Sequence, residues 1–301
     1  MDVQHIKKLE LELLISAVIK KNVDNSTWEW LKDRGIVVSK EIGSNQLIGT
    51  FSAVQRKTVK KNSKLTEVEE IQIDKLLPGF SIHDWSIQRL CRVWLLMQIN
   101  SSDKYNYLKN IEALFGNAEM NELVALYSAL PVLDYPEEWR IRCAEGIRSY
   151  MGSVLEAIMY DNPYPSGYLS EPAWNQLILK ALFTDKEINR IVGLDDRANK
   201  SLATALFDYI HERQAANRTV NIQLWRLVGK FLDENNFDNI YRLFQNGDII
   251  EKKAAALACS LSEYEPAKIL LQQESNLKTA IEEDKLNWNS LVEEQKKYRN
   301  L

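Results

Sequence analysis

Cysteine is scarce in this chain of 301 residues: Cys91, Cys143 and Cys259 are all there are, and none stands in a CxxC pair. An odd, widely spaced set does not make a disulfide framework and reads as reduced, buried thiols of a cytoplasmic protein. Histidine is equally rare, with His5, His83 and His211, so a zinc site built from His and Cys lacks ligands and no metal is expected. GxGxxG, P-loop and GxSxG signatures are absent, which removes the familiar nucleotide and acyl-transfer routes. In HERQA, Ala215 stands where HExxH needs its second histidine. No cofactor is therefore expected. No run reaches the ~20 apolar residues that span a bilayer. The opening MDVQHIKKLELELLISAVIKK has its apolar stretch broken by acids and no cleavage pattern, so it reads as an amphipathic helix and not a signal peptide. A net charge of -4 supplies no basic surface for nucleic acid.

Glycine and proline are also few, 11 and 7, while the chain is 45% hydrophobic and 27% charged. Leu, Ala, Ile, Glu and Lys dominate, and these favour helix. The fold class expected is all-α, a right-handed multi-helix array. Helical periodicity runs through residues 6–20 and resumes at 27. Between residues 35 and 73, scattered Gly, Ser and Asn and the basic run 55–64 read as an irregular, exposed segment, with short helical turns or a small hairpin as the alternatives left open. LLPG is a turn, and a helix follows within 81–99 with Asp84 as its N-cap. Further helices are expected at 104–115 and 118–130, then a long one over 137–160. Residues 231–301 break into short helices of HEAT or α-solenoid-like pairing. The expected division is residues 1–75, N-terminal helices plus the irregular segment, and 76–301, a helical domain ending in these pairs.

The chain is organised around AWNQLILKALF, residues 173–183. Trp174, Leu177, Ile178, Ala181 and Leu182 share one face, and Leu179 and Phe183 carry apolar surface round the back. Asn175 falls among them, with Gln176 and Lys180 in a polar wedge. In the preceding helix, Glu145, Arg148, Ser149, Gly152 and Glu156 stack at helical spacing. Gly146 and Gly152 cost about 1 kcal/mol each there unless something approaches the backbone closely. A structural reading pairs Glu145 with Arg148; a functional one gives Arg148 an anion and makes Glu156 an acid or base. DNPYPSGYL is a stiff aromatic loop, restricted by its X-Pro bonds at Asn162 and Tyr164, with Ser170 as the next N-cap. Gly193 closes one helix and Asp195 caps another, in which Arg213 shares the face of Leu202, Ala205, Leu206, Tyr209 and Ile210. Asp208, His211 and Glu212 point away. An inward Arg213 requires a carboxylate or a ligand anion.

RSYMGSVLEAIMYDNPYPSGYLSEPAWNQLILKALF, with IVGLDDRANKSLATALFDYIHERQAANRTVNIQLWRLVG after it, closely resembles the EboA family. The likeness extends over roughly 76–267 and is looser toward the N-terminus. Its pattern falls on Arg148, Asn162, Pro163, Tyr164, Pro165, Trp174, Asn175, Gln176, Lys180, Asp195, Arg197, Asn199, Asp208, His211, Glu212, Arg213 and Trp225. Gln214 departs from it, where an aromatic residue is expected. The resemblance implies a component of the bacterial and plastid ebo gene cluster, whose companions suggest a prenylated, sugar-derived metabolite. The expected function is an accessory protein binding a polar or anionic metabolite or another ebo-cluster protein. Arg148, Asn175, Lys180 and Arg213, joined by His211, are expected to line one pocket, with Asn162, Tyr164, Gln176 and Asp208 as further ligand-binding candidates. Two alternatives remain: a metal-independent enzyme using His211 or Glu156 beside Lys180, and a pure scaffold.

Overall fold

A computed structural model describes residues 3–40 and 43–299. Among these residues the chain is all-helical, with eighteen α-helices and no strand beyond an isolated bridge between Asn62 and Ser86. It divides into two compact units, Met1–Trp174 and Asn175–Leu301.

The first unit opens with α1 (Val3–Asn22), α2 (Asn25–Ser39), α3 (Ser44–Lys57) and α4 (Glu67–Leu76). It continues with α5 (Ile87–Met97), α6 (Lys104–Asn117) and α7 (Met120–Ala129). Local signals set the helix starts. Asp24 accepts from the Thr27 amide, Thr66 and Glu69 form a reciprocal capping box, and Asp103 accepts from the Asn106 amide. Helix α5 is the centre, with nine of its eleven residues buried and α1, α2, α3 and α7 packed around it. Each fully buried Leu, Ile or Val there contributes roughly 1.5–3 kcal/mol.

Three expectations need correction in this unit. The segment read as irregular is largely helical. Leu47, Thr50, Phe51 and Val54 form a buried stripe on α3 and Ile73 is the buried residue of α4, so the loop proper is 58–66. Tertiary burial of that stripe outweighs the weak propensity of Ser, Asn and Gly. Residues 41 and 42 of that segment lie outside the described residues. Ser86, not Asp84, caps α5 through its hydroxyl and the Arg89 amide; Asp84 has φ 59 and sits in the preceding turn.

The long helix of 137–160 is in fact three pieces: a 3-10 turn (Pro136–Trp139), α8 (Arg140–Ile147) and α9 (Gly152–Met159). The break is built from local competition. Arg148 and Ser149 donate to Glu145 and Gly146 carbonyls three residues back, and the Ser149 hydroxyl accepts the Met151 amide at 3.0 Å. The stack of polar residues expected on one continuous face does not form, and Glu145 pairs with Arg142 instead of Arg148. The close approach expected at Gly146 does occur: an added Cβ would lie 2.5 Å from Ile158 Cδ1 and 2.6 Å from the Tyr127 ring. A short helical turn, α10 (Tyr164–Tyr168), then leads into α11 (Glu171–Phe183), whose first turn belongs to this unit.

The second unit contains the remainder of α11, then α12 (Lys200–Ala215) and α13 (Leu224–Val228). Five more follow: α14 (Phe237–Asn246), α15 (Ile249–Ser260), α16 (Glu265–Gln273), α17 (Ser275–Glu282) and α18 (Trp288–Arg299). On α11, Trp174, Leu177, Ile178, Ala181 and Leu182 are buried as the periodicity requires, but Phe183 is 61% exposed, so the helix is not enclosed on all sides. Asn199, not Asp195, caps α12 by accepting the Leu202 amide. The short C-terminal helices converge on α15, which touches α13, α14, α16, α17 and α18. Its Ala254, Ala255, Ala256 and Ala258 are fully buried, and such small side chains let neighbours come close. Gly229 approaches the α15 backbone closely: an added Cβ would stand 2.7 Å from the Ala258 carbonyl oxygen.

Gly229→Ala should therefore lower stability by about 1–3 kcal/mol, since a backbone atom cannot yield as a side chain can. The check is a urea midpoint that falls at unchanged slope. All three cysteines are free and buried. Burial pushes the Cys91 and Cys259 thiols up to about 12 and raises that of Cys143 further. The folded protein should accordingly not react with Ellman's reagent at neutral pH, and all three thiols should react after denaturation.

Candidate functional site

The DNPYPSGYL segment serves as a positioning device. Asp161 takes the left-handed conformation at φ 51, which turns the chain sharply after α9. Asn162 is 3% exposed; its amide nitrogen donates to the Ala157 carbonyl at 2.9 Å and the Tyr127 carbonyl at 3.2 Å, and its oxygen accepts the Tyr164 amide at 3.0 Å. Tyr164, fully buried, donates its hydroxyl to the Pro136 carbonyl at 2.6 Å and stacks on Tyr168 with centroids 4.9 Å apart. Burial pushes that hydroxyl's pKa well above its ordinary value. Both candidates are saturated by protein partners and hold α10 in place. Arg148 ends α8 on the exposed surface, and Glu156 is half-buried on α9.

In the second unit, the half-buried Asn175 exchanges amide hydrogen bonds with Asn199, at 2.8 and 3.2 Å, and so ties α11 to the cap of α12. Gln176 is exposed and Lys180 half-buried. Asp208, His211 and Glu212 are exposed, as their spacing indicates, and His211 Nε2 lies 3.4 Å from the Asn239 amide nitrogen. Among the described residues Arg213 forms no ion pair with a carboxylate. Its Nε and Nη2 donate to the Thr219 carbonyl at 3.0 and 2.7 Å, closing the turn after α12. Arg226, not singled out in the sequence, is the cation that takes a carboxylate. It forks onto both oxygens of Asp195 at 2.5 Å and is 16% exposed.

Within the first unit a cleft of about 250 Å³ opens between the end of α2, the start of α3, the end of α5 and α6. Its apolar floor is Val38, Leu47, Ile99 and Tyr107. Tyr107 is fixed because its hydroxyl accepts the Asp134 amide at 3.0 Å, and burial pushes its pKa upward. The walls are polar: Ser44, Asn100, Asp103, Asn106 and Asn110, with Lys40 and Lys109 at the mouth. Asn106 and Asn110 stand at i and i+4 on α6 and so share a face. Ser44 donates to Asn110 Oδ1 at 2.8 Å, which leaves the Asn110 amide hydrogens to offer. Asn106 donates to Asp103 at 2.8 Å, and Asn100 accepts the Ser102 amide at 2.9 Å. Amides, a hydroxyl and two ammonium groups around a small concavity suit a compact, hydroxyl-bearing anion.

None of the positions singled out in the sequence lines this cleft. Its signal was the Asn106–Asn110 spacing on a helix that periodicity had found; its other wall lay in the segment read as irregular. Among the described residues no group of three or more His, Cys, Asp or Glu could hold a metal ion, and no helix is long and apolar enough to cross a membrane.

The fold is that of an all-helical protein with a polar-walled cleft in its first unit. The chain belongs to the EboA family: the family model, described as metabolite traffic protein EboA, matches residues 11–229. The match thus starts earlier than the resemblance suggested, taking in α1 to α4, and stops at the end of α13. No curated protein and no solved structure matches the chain.

Asn162→Ala should cost about 1–3 kcal/mol, because the carbonyls of Tyr127 and Ala157 and the amide of Tyr164 lose their buried partner. Denaturant unfolding measures this, and a variant as stable as the parent would show that the amide carries no structural role.

Proposed function

We propose that this chain is an accessory protein of the ebo pathway that holds a compact, hydroxyl-rich anionic metabolite in the cleft between α2, α3, α5 and α6. The observation that carries the reading is the convergence of Ser44, Asn106, Asn110 and Lys109 on one concavity with an apolar floor. The family's description as a metabolite traffic protein supports it. Asn amides and lysines bind sugar-like hydroxyls and an acidic group without cleaving anything, so the chemistry is capture and release. A hydrogen bond to a charged group contributes about 1.5–3 kcal/mol, roughly tenfold or more in affinity.

Titration calorimetry with myo-inositol monophosphate as the probe is the test. Binding should be saturable and should weaken at least about tenfold in Asn110→Leu and in Lys109→Met. Arg213→Met, whose parent side chain caps a turn elsewhere, should leave it unchanged. Equal affinity in the parent and both cleft variants sinks the reading.

A second reading draws on the exposed Tyr241, Ile249 and Ile269 of the C-terminal helices. Residues 231–301 would then dock another ebo-cluster protein. Tyr241→Asp in the full chain should abolish its retention of a companion protein in pull-down, whereas the cleft variants should not.

A further inference from the structure

A different cleft, of about 380 Å³, opens between α8 and the turn that joins α10 to α11. Arg140, Ile141 and Ala144 form one wall, and Gly167, Tyr168 and Ala173 line the other. Two features there have no packing explanation. Ile141 is 71% exposed, although its neighbours Cys143, Gly146 and Ile147 supply the buried face of α8. Gly167 has open space where a Cβ would stand and does not have a positive φ, so neither crowding nor backbone conformation calls for glycine. Tyr168 is a half-buried ring stacked at 24° on the buried Tyr164, which Pro136 anchors at the foot of α8. The aromatic shelf is thereby held in register with the Arg140 wall.

Arg140 supplies the charge. Its guanidinium pairs with Glu137, and both are about half exposed. Such a surface pair contributes at most about 1 kcal/mol and exchanges readily for another carboxylate. A guanidinium fork matches a planar carboxylate in a bidentate manner. Aromatic rings associate at 4.5–7 Å in offset or edge-on geometry, and aliphatic carbon such as Ile141 packs on the opposite side. A phosphoryl group would call for more donors than Arg140 and the Ser170 hydroxyl bring, and a long alkyl chain would overrun the cleft.

We propose that this cleft is a binding site for a small aromatic carboxylate, its ring lodged between Tyr168 and Ile141 over Gly167 and its carboxylate on Arg140. The site is separate from the polar cleft and stands whether or not that cleft binds a metabolite.

The test is titration of the full chain with 4-hydroxybenzoate, followed by calorimetry or by ligand-observed magnetic resonance. Saturable binding is expected, with 4-hydroxybenzamide weaker by about tenfold for want of charge and cyclohexanecarboxylate weaker by about tenfold for want of a ring. Arg140→Gln should erase the preference for the acid over the amide, and Tyr168→Leu the preference for the aromatic over the saturated ring. Gly167→Leu should block all three probes with its melting temperature unchanged, since the new side chain fills open space. Asn110→Leu should bind 4-hydroxybenzoate as the parent does. The proposal is overturned if the parent shows no saturable binding or if Gly167→Leu still binds.

Discussion

Arg92 is wholly buried on α5, where it links α3 and α7 although its Nη2 makes no hydrogen bond. Its Nε donates to the Phe51 carbonyl at 3.2 Å, its guanidinium lies 5.5 Å from the Phe51 ring centre, and Glu122 stands 3.6 Å from its Nη2. Burial pulls the guanidinium pKa down while Glu122 pushes it back. An unpaired charge at such a depth costs several kcal/mol, so α3, α5 and α7 are not free to slide past one another. Glu122 is itself held, because its other oxygen accepts the Glu119 amide at the start of α7. The apolar packing of α5 supplies the driving force, and this polar link supplies the register. The polar cleft inherits that register, since two of its walls are the start of α3 and the end of α5.

A contrast between spent and available polar groups runs through the molecule. Asn162, Tyr164, Asn175 and Arg213 each find protein partners close by and act as fasteners for α10, α12 or the turn beyond it. The side chains of the cleft walls differ: Asn110 and Lys109 retain donors toward solvent, because α6 needs nothing from them for its own stability. A residue type that looks chemically interesting in a sequence is thus as often consumed in construction as held for a ligand.

The helical content, the buried stripe of α11, the outward set Asp208, His211 and Glu212 and the buried thiols were legible, because each depends on composition or on a 3.6-residue period within one segment. The failures share a cause. Asp84 and Asp195 had the right chemistry for caps, but Ser86 and Asn199 stood nearer the helix start once the chain was folded. The break between α8 and α9 was hidden because a serine hydroxyl can compete with the helix ladder, and periodicity does not register that competition. Arg213 read as inward by its angle on the helix, yet a long flexible side chain curled to a carbonyl six residues on.

By itself the sequence determined that this is a helical chain of the EboA family with reduced thiols and a core built from apolar stripes. Those properties are sums over residues or periods within one helix, and no distant contact is needed to see them. Only tertiary structure decided which polar groups are left over for a ligand. That depends on where Ser44 meets Asn110 or Asn175 meets Asn199, pairs separated by dozens of residues that only folding brings within 3 Å or so.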